Sequence, residues 1–126
     1  MAAWEPSDAP WRVLLVEDSR DDAELIEIAL REDGPAVECR RAWSADTVRD
    51  ALQALAPQVV LSDLNLPGFS GLEALEQVRA HDPGLPFVLL TGSAPMALPD
   101  PPPGADAVLS KDDLHKLPAL VRRLLP

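Results

Sequence analysis

Short apolar runs alternate with amphipathic segments from residue 12 to the end of the chain. The runs are rich in valine and leucine, and the segments between them space their apolar residues as a helix does. This alternation predicts βα units that assemble into a parallel sheet. The predicted strands lie near residues 12–16, 37–41, 58–62, 86–90 and 106–109.

Three of the amphipathic segments begin at a serine, a residue that favours the start of a helix because its side chain accepts a backbone hydrogen bond. Glycine or proline marks where the first two segments end, which fixes their length. A last segment begins with a proline at the first helical position, where the missing N–H is harmless. The predicted helices run from Ser19 to Asp33-Gly34, from Ser44 to Pro57, from Ser70 to about His81, and from about Leu117-Pro118 to Leu125.

The segment between the fourth and fifth strands breaks this pattern. A helix is expected there, but residues 93–104 contain five prolines. Each interior proline costs about 3 kcal/mol in a helix and disfavours helical geometry in the residue before it. We therefore predict an irregular or polyproline-like loop, with at most a single turn around residues 94–98.

The chain has 126 residues, a length that suits one domain. We expect residues 1–10 to form an irregular lead-in and residues 11–126 to form the domain. The single Cys39 cannot form an internal disulfide, and the two histidines have no zinc-type spacing.

Acidic residues outnumber basic ones, 21 against 11, which gives a formal net charge of -10. Such a surface repels nucleic acid phosphates and anionic lipid, so we expect neither nucleic acid nor a membrane among the partners. The first residues lack the basic start and apolar stretch of a signal peptide, and no run approaches the length of a membrane span. We therefore expect a cytoplasmic protein.

Four of the apolar runs end in residues that phosphoryl chemistry can use. The carboxyl ends of neighbouring parallel strands meet at one crevice, which is where open α/β sheets bind ligands. Carboxylates that meet there raise one another's pKa unless a dication is bound, and Mg²⁺ prefers such oxygen ligands. An aspartate beside the cation can accept a phosphoryl group while an amine and a hydroxyl neutralise the phosphoryl oxygens. The strand-end residues are Glu17, Asp18, Asp63, Thr91 and Lys111.

With these residues at its strand ends, the chain resembles a response-regulator receiver domain over about residues 11–125. The order and spacing of four motifs carry the resemblance. They are Val16-Glu-Asp-Ser19, Leu61-Ser-Asp-Leu-Asn-Leu-Pro-Gly-Phe-Ser-Gly-Leu72, Leu89-Leu-Thr-Gly92 and Ala107-Val-Leu-Ser-Lys111. The resemblance implies an α/β fold: a single flavodoxin-like three-layer domain with a five-stranded parallel sheet of order 2-1-3-4-5, in which the proline-rich loop replaces the fourth helix.

The resemblance also implies the role of each site residue. Asp63 is the expected phosphoacceptor, in a switch and not a turnover enzyme. Mg²⁺ is the expected cofactor, bound directly by Asp18 and Asp63, with Glu17 nearby through water and the Asn65 backbone carbonyl as a further ligand. Contacts to the phosphoryl oxygens are implied for Thr91 and Lys111. A histidine kinase or a histidine phosphotransfer protein, docked near the first helix, would supply the phosphoryl group, and an unknown downstream protein would receive the signal.

Two departures from the receiver pattern predict a non-standard output. Receivers usually have Tyr or Phe three positions before the lysine, and this chain has Val108 there. The residue after the lysine is Asp112, where proline is common, and the proline loop alters a face that most receivers use for dimerisation or output.

Two other functions compete with the phosphoacceptor switch. A pseudo-receiver, which binds a partner without responding to phosphorylation, is suggested by Val108 and the proline loop. A haloacid-dehalogenase-type phosphohydrolase also uses a strand-end aspartate as nucleophile. Such enzymes need a second aspartate two residues later, where this chain has Asn65.

Overall fold

A computed structural model describes residues 10–32, 36–92 and 101–125. Strands and helices alternate along these residues, as the apolar pattern predicts. The strands are β1 (Trp11–Val16), β2 (Val37–Ala42), β3 (Val59–Asp63), β4 (Asn65–Leu66), β5 (Phe69–Ser70), β6 (Phe87–Thr91) and β7 (Ala107–Ser110). The helices are α1 (Arg20–Arg31), α2 (Ala45–Leu55), α3 (Gly71–His81) and α4 (Leu117–Leu124), with a 3₁₀ helix over Lys111–Lys116.

Five of the strands form one parallel sheet in the order β2-β1-β3-β6-β7. Because β4 and β5 form a separate small hairpin, this order is the predicted 2-1-3-4-5. Strands β1, β3, β6 and β7 are in register through Val16↔Ser62, Asp63↔Leu90 and Thr91↔Ser110. Their carboxyl ends therefore lie at the same edge of the sheet. The predicted α/β fold class is confirmed.

Alternate residues of each central strand face opposite layers of helices. Leu14 and Leu89 pack with α2 and α3 on one side of the sheet. Leu15 and Leu90 pack with α1 and α4 on the other. Burial on both faces explains why these strands read as continuous apolar runs and not as alternating ones. The result is the expected three-layer domain.

The predicted helix starts are confirmed. The side chain of Ser19 accepts a hydrogen bond from the Asp22 N–H at 3.2 Å. Ser44 and Ser70 each form a capping box with the residue three positions later. The last helix has proline in its first turn, as predicted. None of the helices in the described ranges is long and apolar enough to cross a membrane.

The hairpin β4–β5 and the 3₁₀ helix after β7 were not predicted. Strands of two residues are too short to show a periodic pattern, and the Lys111–Lys116 segment has no helical spacing of apolar residues. The hairpin matters for the site because it begins two residues after Asp63, and the 3₁₀ helix matters because it begins at Lys111.

Part of the proline segment lies within the described residues. Residues 101–104 contain a turn, with the Ala105 N–H donating to the Pro102 carbonyl at 3.0 Å. The Arg79 guanidinium fastens this turn to α3 by donating to the Gly104 carbonyl at 2.6 and 2.9 Å. The predictions for residues 93–100, for most of the lead-in at 1–9, and for the Asp33-Gly34 helix stop lie outside the described residues.

Candidate functional site

The strand-end residues meet at the carboxyl edge of the sheet. Glu17 and Asp18 follow β1, and Asp63 is the last residue of β3. Thr91 ends β6, and Lys111 follows β7. Because β1, β3, β6 and β7 are consecutive neighbours in the sheet, their ends lie side by side. The predicted convergence of these residues is therefore found in the structure.

Three carboxylates form a compact cluster at this edge. Glu17, Asp18 and Asp63 each offer an oxygen atom, and these three atoms lie within 4.8 Å of one another. Glu17 is buried, Asp63 is partly buried and Asp18 is exposed, so the cluster is open to solvent on one side. An all-oxygen set with room for water matches the coordination that Mg²⁺ prefers. The donor set therefore fits the predicted magnesium site.

The Lys111 ammonium lies beside two of these acids, Glu17 and Asp63, and also contacts Asp22. It donates to Glu17 Oε2 at 3.0 Å and to Asp22 Oδ2 at 2.9 Å. Its distance to Asp63 Oδ2 is 3.5 Å, an ion pair that is longer than the two hydrogen bonds. The lysine side chain is only 17% exposed, so solvent screens these contacts weakly. Lys111 therefore compensates part of the negative charge of the cluster.

Burial and charge act in opposite directions on Glu17 and Lys111. Desolvation raises the pKa of Glu17, the negative charge of Asp63 raises it further, and the lysine opposes both effects. Burial alone would lower the pKa of Lys111, but hydrogen bonds from its ammonium to Asp22 and Glu17, with the charges of Asp63 and Glu17, raise it. The lysine is therefore charged throughout the physiological range, while Glu17 is the acid whose ionisation the site disfavours.

The Thr91 hydroxyl is buried and has no hydrogen-bond partner within residues 10–32, 36–92 and 101–125. A buried hydroxyl without a partner is costly, by about 1–3 kcal/mol. Such groups are rare in folded proteins and call for an explanation. A phosphoryl oxygen at the end of the neighbouring strand would supply the missing acceptor.

A clamp that the sequence did not predict holds the backbone after β1. The Arg41 guanidinium donates to the carbonyl of Glu17 at 3.1 Å and to that of Asp18 at 3.3 Å. The same guanidinium stacks over the exposed Trp43 ring, 4.6 Å from its centroid. Arg41 therefore fixes the backbone that presents the two acids, and it does so through their carbonyl groups.

Gly71, at the start of α3, allows a close approach beneath Asp63. A Cβ atom at position 71 would lie 2.5 Å from the Asp63 carbonyl oxygen and 2.8 Å from Leu89 Cδ2. Real side chains do not make contacts this short, so the position requires glycine. The Gly71 N–H also donates to the Leu64 carbonyl at 2.8 Å, which closes the loop after Asp63.

Two residues singled out from the sequence lie next to the site along the chain, Asn65 two positions after Asp63 and Val108 three positions before Lys111. Asn65 is exposed and opens the hairpin at β4, so the metal-binding role of its carbonyl stays a prediction. Val108 is partly buried, pairs with Leu89 in the sheet and packs against the core beneath it. An aliphatic side chain, not an aromatic ring, fills this position on the strand that leads to Lys111.

The roles of three residues at the site were not predicted from the sequence: Asp22, Arg41 and Gly71. An acid in the first turn of a helix is ordinary, because it complements the helix dipole, so Asp22 gave no separate signal. Arg41 lies at the end of an edge strand with other arginines nearby. Gly71 follows an N-cap serine and looks like a simple helix start. Only their positions in the fold reveal what they do.

The sequence matches one protein-family model over residues 13–122, the response regulator receiver domain. Among curated proteins, the transcriptional regulatory protein TctD of Salmonella typhimurium is 34% identical over 117 residues, which cover 90% of this chain and 51% of TctD. The transcriptional regulatory protein TrcR of Mycobacterium tuberculosis is 32% identical over 126 residues, which cover 93% of this chain and 46% of TrcR. The chain thus spans about half the length of these relatives.

A solved structure with the same fold is the response regulator protein TrrA of Thermotoga maritima, in complex with Mg²⁺ and BeF. The TM-score is 0.77 at 26% sequence identity, and the alignment covers 91% of this chain and 99% of that one. The strand order and the three-layer arrangement described above are therefore shared with a protein of known structure.

Proposed function

Because the chain belongs to the response regulator receiver family, we propose that it accepts a phosphoryl group on Asp63 in a Mg²⁺-dependent step. It is a receiver domain of two-component signalling. The observation that supports the specific role of Asp63 is its position: its carboxylate lies 3.5 Å from the Lys111 ammonium and within 4.8 Å of the Glu17 and Asp18 oxygens.

Asp18 and Asp63 are the proposed direct ligands of Mg²⁺, with Glu17 nearby through water and the Asn65 backbone carbonyl as a further ligand. A bound Mg²⁺ would neutralise negative charge on the carboxylates and on the phosphoryl oxygens. The TrrA structure, which contains Mg²⁺ and BeF, supports this assignment by similarity. The oxygen donors of Glu17, Asp18 and Asp63 support it from the chain itself.

In the transfer step, an Asp63 carboxylate oxygen attacks the phosphorus of a phosphohistidine. A P–O bond forms, the P–N bond breaks, and the imidazole leaves with the electron pair and takes up a proton. Lys111 pairs with a phosphoryl oxygen, and the unpartnered Thr91 hydroxyl donates to another. Such a transfer relies mainly on positioning and on charge neutralisation, and the buried side of this site offers both.

Attack of water on the aspartyl phosphate would release inorganic phosphate and restore the carboxylate. The domain therefore acts as a switch, and any reaction it catalyses is on itself. A histidine kinase or a histidine phosphotransfer protein docked near α1 is the proposed donor, in the cytoplasm. TctD and TrcR are named transcriptional regulators, and this chain spans about half of their length. The output proposed for this domain is a contact with another protein.

Intact-mass measurement after incubation with a small phosphodonor and Mg²⁺ tests the proposal. We expect the wild-type chain to gain the mass of one phosphoryl group, and Asp63→Asn to gain none. Asp50→Asn, which changes an exposed acid on α2, is the matched control and should behave as the wild type does. No gain in the wild type, or an equal gain in Asp63→Asn, would reject the proposal.

The pseudo-receiver remains the alternative because Val108 lacks the aromatic ring that is usual there. Amide hydrogen exchange with and without beryllofluoride separates the two. A phosphorylation switch should show altered exchange after Thr91 and around Lys111. A module that only binds a partner should show none at either place.

A further inference from the structure

A carboxylate from outside the acid cluster also contacts Lys111. Asp22 lies in the first turn of α1, and its Oδ2 atom is 2.9 Å from Lys111 Nζ, the shortest of the three ionic contacts that this lysine makes with residues the structure describes. The three acids whose oxygens lie within 4.8 Å of one another do not include Asp22. Glu17 and Asp63 therefore contact the lysine and also belong to the cation site, whereas Asp22 contacts the lysine from outside the cation site.

The geometry of an ammonium group makes this contact informative. A lysine ammonium has three N–H donors in fixed relative directions. Two of them are engaged, by Glu17 and by Asp22, so the direction of the third is set. The remaining neighbour is the Asp63 carboxylate at 3.5 Å, a distance that leaves this donor free to meet an oxygen placed on Asp63.

We propose that Asp22 is a positioning residue that holds Lys111 so that its third N–H faces a phosphoryl group on Asp63. The inference rests on the proposed phosphorylation of Asp63. When Glu17 and Asp63 share their charge with a cation, they attract the ammonium less strongly. Asp22 then remains as the acid that keeps the lysine in place.

The same helix contains a matched control. Asp21 is adjacent, exposed and equally acidic, and Asp21→Asn makes the same change in net charge and in the helix dipole. Asp22→Asn should leave the start of the helix intact, because Ser19 accepts from the Asp22 backbone N–H and not from its side chain. A difference between the two variants therefore reports the contact with Lys111.

The test is calorimetric titration of the full chain, first with Mg²⁺ and then with beryllofluoride at saturating Mg²⁺. Beryllofluoride is the probe for the phosphoryl group. We expect Asp22→Asn to bind it roughly threefold to tenfold more weakly than the wild type, because one charged hydrogen bond to a partly exposed acid is lost. Asp21→Asn should match the wild type, and Asp22→Glu, which restores the charge, should recover most of the affinity.

A second set of variants, made in Lys111→Met, tests whether Asp22 acts through the lysine. In Lys111→Met, adding Asp22→Asn should change beryllofluoride affinity no further, since the group that Asp22 positions is gone. A loss that persists in this background, an equal loss in Asp21→Asn, or wild-type affinity in Asp22→Asn would each overturn the role of Asp22. Failure of the wild type to bind beryllofluoride would overturn the proposed function together with this inference.

Discussion

The Lys111 ammonium lies 3.0 Å from the carboxylate of the buried Glu17, although 94 positions separate the two residues in the chain. The contact joins the end of β1 to the end of β7, across β3 and β6. It places one positive charge beside the carboxylates of Glu17, Asp22 and Asp63, which would otherwise repel one another. Much of the behaviour expected of this domain follows from that compensation.

Replacing Lys111 by methionine keeps the apolar stem and removes the charge. Glu17 is then buried without its cation, so we expect the free energy of unfolding near pH 7 to fall by about 2 kcal/mol. Urea unfolding measures the change. Lys116→Met, at an exposed position on the 3₁₀ helix, is the control and should unfold as the wild type does.

The pH dependence of that loss follows from the two raised pKa values. The pKa of Glu17 is raised above its ordinary value of 4.5 in the folded chain. The bound proton therefore stabilises the fold below pH 4.5, and this contribution is lost as pH rises through the raised pKa. The raised pKa of Lys111 adds stability that is complete below 10.5 and is lost at higher pH. The loss in free energy of unfolding caused by Lys111→Met should therefore become smaller as pH falls from 7 to 5, because Glu17 takes up its proton and no longer needs the cation. An unchanged deficit would contradict the assignment of the buried charge to Glu17.

Removing one acid from the cluster should weaken metal binding. We expect Asp18→Asn to lower Mg²⁺ affinity by at least about tenfold, a loss that is typical even for groups that only support a metal ligand. Isothermal titration calorimetry provides the measurement. Asp21→Asn, an exposed acid outside the cluster, serves as the control. Equal affinities in the two variants would place the cation elsewhere.

Gly71→Ala tests the close approach beneath the phosphoacceptor. In an ordinary helix this change would stabilise the chain, but here the new methyl group would lie 2.5 Å from the Asp63 carbonyl oxygen. We expect a loss of about 1–3 kcal/mol in the free energy of unfolding. Gly84→Ala is the comparison, since the nearest atom to its added methyl group would be 3.6 Å away. If both variants have the same stability, the loop after Asp63 is not held as described.

The lone thiol should be unreactive at neutral pH. Burial, together with the negative charge of Glu27, raises the pKa of Cys39 to about 12. In the folded chain, the rate of alkylation by iodoacetamide should still rise about tenfold per pH unit between pH 8 and 10. In urea the alkylation rate of the same thiol should stop rising with pH above its ordinary pKa of about 8.5. A folded-state plateau near pH 9 would show that Cys39 is more accessible than its burial implies.

The parts of the fold that follow from apolar periodicity were predicted from the sequence. Runs such as Val59–Leu61 are buried on both faces, and Ser19, Ser44 and Ser70 cap the helices that follow them. The position of Asp63 at a strand end also follows, since a buried run that stops at an acid marks the edge of a parallel sheet. These features depend on residues close together in the sequence.

The features that were missed depend on contacts between distant residues. Asp22 and Lys111 are separated by 89 positions, and neither residue alone suggests the other. The need for glycine at position 71 arises from the Asp63 carbonyl and the Leu89 side chain, which a one-dimensional pattern cannot bring together. The Arg41 clamp is a side-chain contact to backbone carbonyls, which any arginine near the end of β2 could make. Such contacts are visible only once the sheet is assembled.

The central claim is that the Asp63 carboxylate receives the phosphoryl group, and locating that group on the chain tests it most directly. Borohydride reduces an aspartyl phosphate to the alcohol, so treatment after phosphorylation converts the modified aspartate into homoserine. Peptide mass spectrometry should find homoserine at position 63 only when both the phosphodonor and Mg²⁺ are present. Phosphorylated protein that contains aspartate at position 63 and homoserine at another position would contradict the account.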